Sequence, residues 1–241
     1  SIIEKNLNSI NVEGVTCSIN TPKIIKIAKK LNVKKIGYNE RFQKNNNILN
    51  LRGYDFYCDV SDFHKMISNK TDIIIFATPG LTSLDLLIEI LKSGKKVGIA
   101  NKECIISLGN KFNAIAKKYK TEIVPLDSEH NSIYHLLKKG FGKYKSITIT
   151  ATGGPFVNLN KKKLEKVRVS QALRHPIWKM GKKISIDSAT MMNKALEIIE
   201  AKYLFDLKDN QINAIIHHIC FVLKIIFKIY YLLRKFFEFF F

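Results

Sequence analysis

The chain has 241 residues, enough to bury a substantial core in one large domain or in one and a half. Its formal net charge of +20 comes mostly from lysines dispersed over predicted helix faces, without the aromatic-interleaved basic stripe of a single-strand binder, which argues against nucleic acid as the partner. The four cysteines form no Cys-x-x-Cys pair, so neither a disulfide framework nor a zinc site is indicated, and the amino terminus shows no signal-peptide pattern.

Strand and helix signals alternate along the first half of the chain. The predicted elements are a strand at Val12–Cys17, a helix from Thr21 to about Leu31, strands at Val33–Tyr38 and Asp72–Ala77, a short helix at Asp62–Ser68, a helix at Leu81–Ser93, a strand at Lys96–Ala100, a helix from Glu103 to about Lys118 and a strand at Thr121–Leu126. The strand Asp72–Ala77 is apolar throughout, so we expect both of its faces to be covered. The alternation predicts an α/β fold, a Rossmann-like domain with a parallel, doubly wound sheet.

The second half has a different organisation, which predicts an α+β catalytic domain. Its predicted elements are a helix at Asn131–Lys139, a strand at Ser146–Thr150, a loop at His175–Gly181, a strand at Lys183–Asp187 and a helix that Ser188 caps and that reaches about Phe205. The end of the chain is apolar yet carries charges that a membrane span rarely tolerates, which favours an unnatural, frame-shifted end over a membrane-surface helix. The predicted domains are residues 1–126, residues 127–217 and an aberrant tail at 218–241.

Polar residues directly follow three of the predicted strands. Thr78 comes after the first, Asn101–Glu103 after the second and Asp127–Glu129 after the third. In open parallel sheets the ligand binds outside the carboxyl ends of the strands. We therefore expect these three stretches to contribute to one site at the rim of the sheet.

A further carboxylate is predicted on the last helix, where Asn193, Lys194 and Glu197 share one side. Three carboxylates from Asp127, Glu129 and Glu197 would repel one another if they met without a cation, so their convergence predicts Mg²⁺ or Mn²⁺. Taken alone, the Lys194–Glu197 spacing is better explained as a salt bridge on a solvated helix face.

Several polar residues have two interpretations. Ser128, Ser188 and Asn193 are natural donors to a phosphate or a sugar hydroxyl, and they are equally typical of helix caps and turns. His175 and Trp178 fall in a loop, where they either cover a substrate or only complete the loop. His130 shows no functional pattern and is interpreted as structural.

Five motifs follow one another in a fixed order. They are Ala100–Glu103, Asp127–Asn131, Gly153–Phe156, His175–Gly181 and Ile184–Glu197. On these motifs the chain closely resembles the 1-deoxy-D-xylulose 5-phosphate reductoisomerases of the non-mevalonate isoprenoid pathway, over roughly residues 10 to 216. The Gly-rich phosphate turn and the C-terminal helical domain of that family have no counterpart in this sequence.

The resemblance implies a metal-dependent conversion of 1-deoxy-D-xylulose 5-phosphate to 2-C-methyl-D-erythritol 4-phosphate with NADPH. It implies a homodimer in a bacterial cytoplasm or a plastid-type organelle, with no nucleic-acid or membrane partner. The implied metal ligands are Asp127, Glu129 and Glu197, and the implied substrate and catalytic residues are Lys102, Ser128, Glu129, Thr152, His175, Ser188, Asn193, Lys194 and Glu197. The implied cofactor contacts are Asn20, Asn101, Glu103 and Gly181. Two alternatives stay open, an inactive remnant of such an enzyme and a basic module that binds nucleic acid or anionic lipid.

Overall fold

The structure, a computed structural model, describes residues 9–17, 21–39, 52–138, 145–174 and 181–216. The chain divides into two compact units, residues 1–138 and residues 139–241. The predictions for Asn20, His175, Trp178 and the tail at 218–241 lie outside the described residues. Along the described ranges, every helix is too short or too polar to cross a membrane.

Strands and helices alternate through most of the described part of the first unit, as the sequence predicts. Two details differ: a strand at Asp55–Tyr57 is not predicted, and the helix predicted from Glu103 to about Lys118 is found as two helices that meet at Gly109. The elements are β1 (Gly14–Cys17), α1 (Thr21–Leu31), β2 (Lys35–Tyr38), β3 (Asp55–Tyr57), a 3₁₀ helix (Val60–Met66), β4 (Ile73–Phe76), α2 (Leu84–Lys92), β5 (Lys96–Ile99), α3 (Lys102–Leu108), α4 (Asn110–Tyr119), β6 (Glu122–Pro125) and α5 (Ser128–Lys138). The 3₁₀ helix stands where the sequence predicts a short helix, and Asp59 caps it by accepting from Ser61 N at 3.0 Å.

The described strands of this unit form two parallel sheets of three strands each, ordered β1-β2-β3 and β4-β5-β6. The predicted parallel α/β fold is therefore confirmed, but the single sheet expected from the sequence is found as two. In the second sheet the final residues Phe76, Ile99 and Pro125 are paired across the strands. The loops that follow β4, β5 and β6 consequently leave the sheet at one edge.

The prediction that both faces of β4 are covered is wrong. Ile73 and Ile75 are 57% and 62% exposed, whereas Phe76 is only 2% exposed. Because successive side chains of a strand point to opposite faces, Ile73 and Ile75 share one face and Phe76 lies on the other. One face of this apolar strand is thus open to solvent.

An electrostatic cluster links β6 to α5. The Glu122 carboxylate accepts from Lys138 Nζ at 2.9 Å and from Tyr134 Oη at 3.0 Å, and it forms an ion pair with Lys96 at 3.1 Å. The hydrogen bond from Lys138 is the largest cause of a pKa of about 2 for Glu122, and the bonds from Lys96 and Tyr134 add to it. This cluster ties α5 to the sheet.

We expect Glu122→Gln to lower the free energy of unfolding by about 0.5–1 kcal/mol at pH 7, because the carboxylate is partly exposed and screened by solvent. A folded pKa below the usual 4.5 gives stability that is fully present above pH 4.5 and is lost as the pH falls towards 2. Urea unfolding at pH 7 and at pH 2.5 measures both effects. Glu89→Gln, which removes a surface pair with Lys92, is the control, and an equal loss at the two pH values would contradict the expectation.

The described part of the second unit mixes one parallel strand pair with helices. Its elements are β7 (Ile147–Ala151), α6 (Lys161–Leu164), α7 (Val169–Ala172), α8 (Lys182–Ala189), α9 (Met192–Leu204), a 3₁₀ helix (Asp209–Gln211) and β8 (Ile212–Ile216). β7 and β8 pair in parallel from Ile147 and Ile212 onwards. The division of the chain after Lys138 leaves α5 in the first unit. The boundary predicted after Leu126, where the catalytic domain is expected to begin, stays a prediction.

The predicted strand at Lys183–Asp187 is wrong, because these residues lie in helix α8. The isoleucines that suggest a strand do not share a buried face, since Ile184 is 47% exposed. The buried residues of α8 are instead Ser185 and Ala189, four positions apart, and Lys183 pairs with Asp187 at 2.7 Å over the same spacing. Helical contacts therefore outweigh the alternating pattern.

Candidate functional site

Asn101 organises the loops at the carboxyl edge of β4 and β5. Its amide nitrogen donates to Gly80 O at 2.8 Å and to Thr78 O, and its amide oxygen accepts from Cys104 N at 2.7 Å. The last bond caps α3. With the side chain buried and its bonding capacity taken up by the chain, Asn101 fixes the position of the residue that follows it, Lys102.

Asp127 lies between an ammonium group and an imidazole at the next loop. Lys102 Nζ is 3.4 Å from Asp127 Oδ2, and the wholly buried His130 places Nδ1 at 3.2 Å from Asp127 Oδ1. Glu129 N also donates to Asp127 Oδ1, at 3.1 Å. The structure thus brings together Lys102 and Asp127, two residues that the sequence places in different motifs.

The charge state of Asp127 follows from these neighbours. Burial of the carboxyl raises its pKa, but the hydrogen bond and charge of His130 and the charge of Lys102 lower it by more. The pKa of Asp127 therefore lies well below its ordinary value of 3.8. The group is a carboxylate at any physiological pH, the form that a metal ligand requires.

Glu129 supplies a second carboxylate in the same unit. Glu129 and Asp127 each offer an oxygen within 4.8 Å of the other, a spacing that one cation can bridge. Ser128 Oγ donates to Glu129 Oε2 at 2.5 Å and holds that side chain in place. Two carboxylate oxygens beside an ammonium group suit a hard divalent ion and an anionic oxygen ligand.

In the second unit, α9 turns its charged side inwards. Glu197 is 2% exposed and Lys194 is 8% exposed. Lys194 Nζ is 2.5 Å from Glu197 Oε2, and Asn193 Nδ2 donates to Glu197 Oε1 at the same distance. The interpretation of Lys194–Glu197 as a pair on a solvated face is therefore wrong, since the pair exists but is buried.

Two large apolar residues of α9 are exposed, while a second carboxylate is buried. Met192 is 50% exposed and Ile199 is 39% exposed, whereas Glu200 is 1% exposed. Burying a charge costs several kcal/mol unless it is paired. The inner face of α9 therefore carries Lys194, Glu197 and Glu200 beside the small residue Ala201.

The turn after β7 comes close to α8. Gly153 and Gly154 both have positive φ, at 85° and 69°, which explains the two glycines. A Cβ on Gly154 would lie 2.6 Å from Ser188 O, so this turn packs on the backbone of Ser188. Thr152, half-buried, directly precedes the turn. The predicted role of Ser188 as a helix cap is wrong, because it lies in the last turn of α8.

We expect Gly154→Ala to displace Ser188 and to lower the free energy of unfolding by about 1–3 kcal/mol, because it combines a backbone clash with a left-handed conformation. Thermal unfolding measures the loss of stability. Gly53→Ala is the control, since Gly53 also has positive φ (87°) but its Cβ would meet nothing within 4 Å. An equal loss for both variants would show that the conformation alone matters.

For Glu103 and Gly181, the remaining predicted cofactor residues, the structure gives the position in the fold. Glu103 is in the first turn of α3, and Gly181 is the exposed residue that precedes α8. A Cβ on Gly181 would meet nothing within 4 Å. The two residues belong to different units.

Sequence reasoning passed over two buried titratable residues. His130 is interpreted as structural from the sequence, but its ring lies beside Asp127. Glu200, wholly buried on α9, follows Glu197 by three residues and therefore lies on the same helical side. In both cases the sequence contains a signal, because each residue follows a suspected metal ligand by three positions: His130 follows Asp127, and Glu200 follows Glu197.

Comparison with known proteins gives a consistent family. Two sequence models match the chain, described as 1-deoxy-D-xylulose 5-phosphate reductoisomerase over residues 1–109 and as the C-terminal domain of the same enzyme over residues 123–205. The reductoisomerase of Pelagibacter ubique is 41% identical over 222 residues, which is 90% of this chain and 57% of that protein. The reductoisomerase of Wigglesworthia glossinidia brevipalpis is 47% identical over 180 residues, 70% of this chain and 44% of that protein.

Solved structures of similar proteins agree with the sequence matches. The Zymomonas mobilis reductoisomerase in complex with NADPH has a TM-score of 0.80 at 30% identity, over 90% of this chain and 57% of that one. A DOX-P reductoisomerase in complex with NADPH, fosmidomycin and magnesium has a TM-score of 0.78 at 31% identity, with the same coverage. The chain spans about half the length of the curated relatives it matches.

Proposed function

Because the chain belongs to the 1-deoxy-D-xylulose 5-phosphate reductoisomerase family, we propose that it is part of an enzyme that converts this substrate to 2-C-methyl-D-erythritol 4-phosphate with NADPH. The observation that carries the proposal is a set of carboxylates prepared for a cation. Asp127 is held ionised by Lys102 and His130, and Glu197 is buried on the inner face of α9. A purely structural surface would not need either arrangement.

We propose Asp127, Glu129 and Glu197 as ligands of one Mg²⁺ or Mn²⁺. Their oxygens are the ligand type that both ions prefer, and a solved relative contains magnesium. When bound, such an ion acts as a Lewis acid on the oxygens of a substrate. Lys194 and Asn193 keep the Glu197 carboxylate in one orientation. Ser128 does the same for Glu129.

The substrate is proposed to be a phosphorylated sugar held by donors from both parts of the sequence. Lys102 and Lys194 supply ammonium groups, and hydroxyl and amide donors accompany them. The proposed contacts are Lys102, Ser128, Thr152, His175, Ser188, Asn193 and Lys194. The support is chemical, since phosphate oxygens accept charge-assisted hydrogen bonds from these groups. It is also comparative, since solved relatives bind fosmidomycin with magnesium.

NADPH is the proposed cofactor, with Asn20, Asn101, Glu103 and Gly181 beside it. Two solved relatives contain NADPH. The edge where the loops after β4 and β5 leave the sheet is where dinucleotides bind in folds of this type. Asn101 contributes by fixing that edge through its bonds to Gly80 and Cys104.

We also propose that the enzyme is a homodimer that works in a bacterial cytoplasm. The support for the compartment is that the relatives compared above are bacterial proteins. Sedimentation equilibrium of the purified protein tests the assembly. A single species at the mass of one chain, 27.7 kDa, would overturn the dimer.

The reaction is tested with the full-length enzyme of which this chain is proposed to be a part, by following NADPH absorbance at 340 nm after addition of 1-deoxy-D-xylulose 5-phosphate. The expected result is oxidation that needs Mg²⁺ or Mn²⁺ and that stops when EDTA is added. Binding of Mn²⁺ and NADPH without turnover would instead support the inactive remnant. Failure to bind Mn²⁺ at all would overturn the proposed site.

A further inference from the structure

The Lys102–Asp127 ion pair occupies one oxygen of a carboxylate that is proposed to bind a metal ion. Lys102 Nζ lies 3.4 Å from Asp127 Oδ2. The other oxygen, Oδ1, accepts from Glu129 N at 3.1 Å and lies 3.2 Å from His130 Nδ1. Glu129 and His130 both belong to α5, whereas Lys102 belongs to α3. Oδ1 therefore holds the carboxylate on α5, and Oδ2 is the oxygen that meets the ammonium group.

The contact between Lys102 and Asp127 is a loose one. Charge-assisted N–H···O bonds are about 2.7–2.9 Å long, whereas this one measures 3.4 Å. The two side chains are 16% and 18% exposed, so water can reach both groups. Asn101 caps α3 and fixes the backbone of Lys102, but the lysine carries its charge on a long, flexible stem. The ammonium group can therefore leave Asp127 while the backbone stays in place.

A divalent cation would compete with Lys102 for Asp127. Because the contacts with α5 use Oδ1, Oδ2 is the oxygen that a cation reaches without breaking them. Carboxylate oxygens are the ligands that Mg²⁺ and Mn²⁺ prefer. A cation bound to Oδ2 and the ammonium group of Lys102 would repel each other at short range, where solvent and salt screen little. Binding of the ion therefore requires that Lys102 turn away.

The balance of charge at Asp127 points the same way. Asp127 and Glu129 bring two negative charges, of which Lys102 offsets one. Glu197 has a cation of its own, since Lys194 Nζ is 2.5 Å from its carboxylate. A divalent ion offsets the charges of Asp127 and Glu129 by itself, so the ammonium group of Lys102 becomes an excess positive charge. An excess ammonium group in a partly buried position favours binding of an anionic oxygen.

We propose that the Lys102–Asp127 pair is an autoinhibitory contact that a divalent cation opens. The ion takes Asp127 Oδ2, the ammonium group of Lys102 turns away, and this group becomes the donor to an anionic oxygen of the substrate. The inference rests on the proposed metal site and adds an order to it, in which the ion binds before the anion. Without the ion, the site keeps its ammonium group occupied and has a low affinity for phosphate-bearing molecules.

Replacing Lys102 by glutamine tests the competition, because it removes the charge and keeps the side chain polar. We expect the Lys102→Gln chain to bind Mn²⁺ about tenfold more tightly than the unmodified chain, as measured by the electron paramagnetic resonance of free Mn²⁺. Lys102→Arg keeps the charge and should not bind Mn²⁺ more tightly. Lys92→Gln, which removes a lysine from a surface pair with Glu89, is the matched control and should leave the affinity unchanged. Equal or weaker binding of Mn²⁺ by Lys102→Gln would overturn the proposal.

Acetylation of lysines in the unmodified chain tests whether Lys102 moves. We expect acetic anhydride to label Lys102 several times faster with saturating Mg²⁺ than in EDTA, as read by peptide mass mapping. Inorganic phosphate should slow the labelling again, but only when Mg²⁺ is present. Lys138, which pairs with Glu122, is the internal control and should react at the same rate throughout. Unchanged labelling of Lys102 on addition of Mg²⁺, or its protection by phosphate in EDTA, would overturn the proposal.

The outcomes distinguish the role of Lys102 from the metal site itself. If the unmodified chain binds no Mn²⁺, the metal site and the autoinhibitory contact both fail. If it binds Mn²⁺ while the labelling of Lys102 stays the same, the metal site stands and only the autoinhibitory contact is overturned.

Discussion

Replacing Glu197 by glutamine is expected to remove divalent-metal binding and, with it, turnover. The substitution keeps the shape of the side chain but removes the buried charge that pairs with Lys194. Mutation of a residue that only hydrogen-bonds to a metal ligand already costs about 10–100-fold in metal affinity. Loss of the charge of a ligand itself should therefore weaken Mn²⁺ binding by about two orders of magnitude or more. Turnover should fall about 10³-fold, since a Lewis acid supplies several kcal/mol to the transition state.

Manganese binding is measured directly by the electron paramagnetic resonance signal of free Mn²⁺. Glu165→Gln, on an exposed part of the second unit, is the matched control and should leave binding unchanged. Glu197→Gln also leaves Lys194 buried without its anion, at a cost of about 3 kcal/mol in stability. The double variant Lys194→Met/Glu197→Gln removes that unpaired charge. A folded variant of either kind that binds Mn²⁺ as tightly as the unmodified chain would disprove the ligand assignment.

Replacing Asp127 by asparagine is expected to lower both metal affinity and stability. The substitution would leave Lys102 and the buried His130 beside a neutral amide, which should reduce the free energy of unfolding by about 3 kcal/mol at neutral pH. Because the folded pKa of Asp127 is below 3.8, its contribution is fully present above that pH and is lost as the pH falls further. The stability difference between the two proteins should therefore shrink below pH 3.8.

Urea unfolding in EDTA, at pH 7 and at pH 3, separates this effect from metal binding. Asp62→Asn is the control, since Asp62 pairs with Lys65 on the exposed side of the first 3₁₀ helix and should contribute less than about 0.5 kcal/mol. A difference between Asp127→Asn and the unmodified chain that does not change with pH would mean that the carboxylate is not stabilised in the folded state. Metal binding by Asp127→Asn at unchanged affinity would remove it from the ligand set.

The sequence predicts where the loops after β4, β5 and β6 lie, because their position follows from the topology of a parallel sheet. Once β4, β5 and β6 are recognised as parallel strands, the residues after them must lie at one edge, and the bonds from Asn101 to Thr78 and from Lys102 to Asp127 confirm it. The buried position of Glu197 is harder to predict. Its spacing from Lys194 is the same for a surface salt bridge and for an internal one, and only packing distinguishes the two.

Two predictions fail because they depend on contacts between distant parts of the chain, which the local sequence pattern does not show. In α8, Ile184 and Ile186 imitate a strand, while the helix is fixed by the small residues Ser185 and Ala189 and by the Lys183–Asp187 pair. In β4, a run of isoleucines indicates burial on both faces. In the structure, however, Ile73 and Ile75 are more than half exposed. Hydrophobic periodicity reports what a segment can bury, and tertiary partners decide whether it does.

The orientation of α9 reverses the usual rules of mutational tolerance. At Met192 and Ile199, which face outwards, polar replacements should cost less than about 0.5 kcal/mol. At Lys194 and Glu197, single replacements by leucine should lower stability more than most others in the helix, because each leaves the charged partner buried and unpaired. A saturation screen of α9 would therefore find that Lys194 and Glu197 tolerate few replacements, whereas Met192 and Ile199 tolerate many. A ranking of variants by hydropathy alone would predict the opposite.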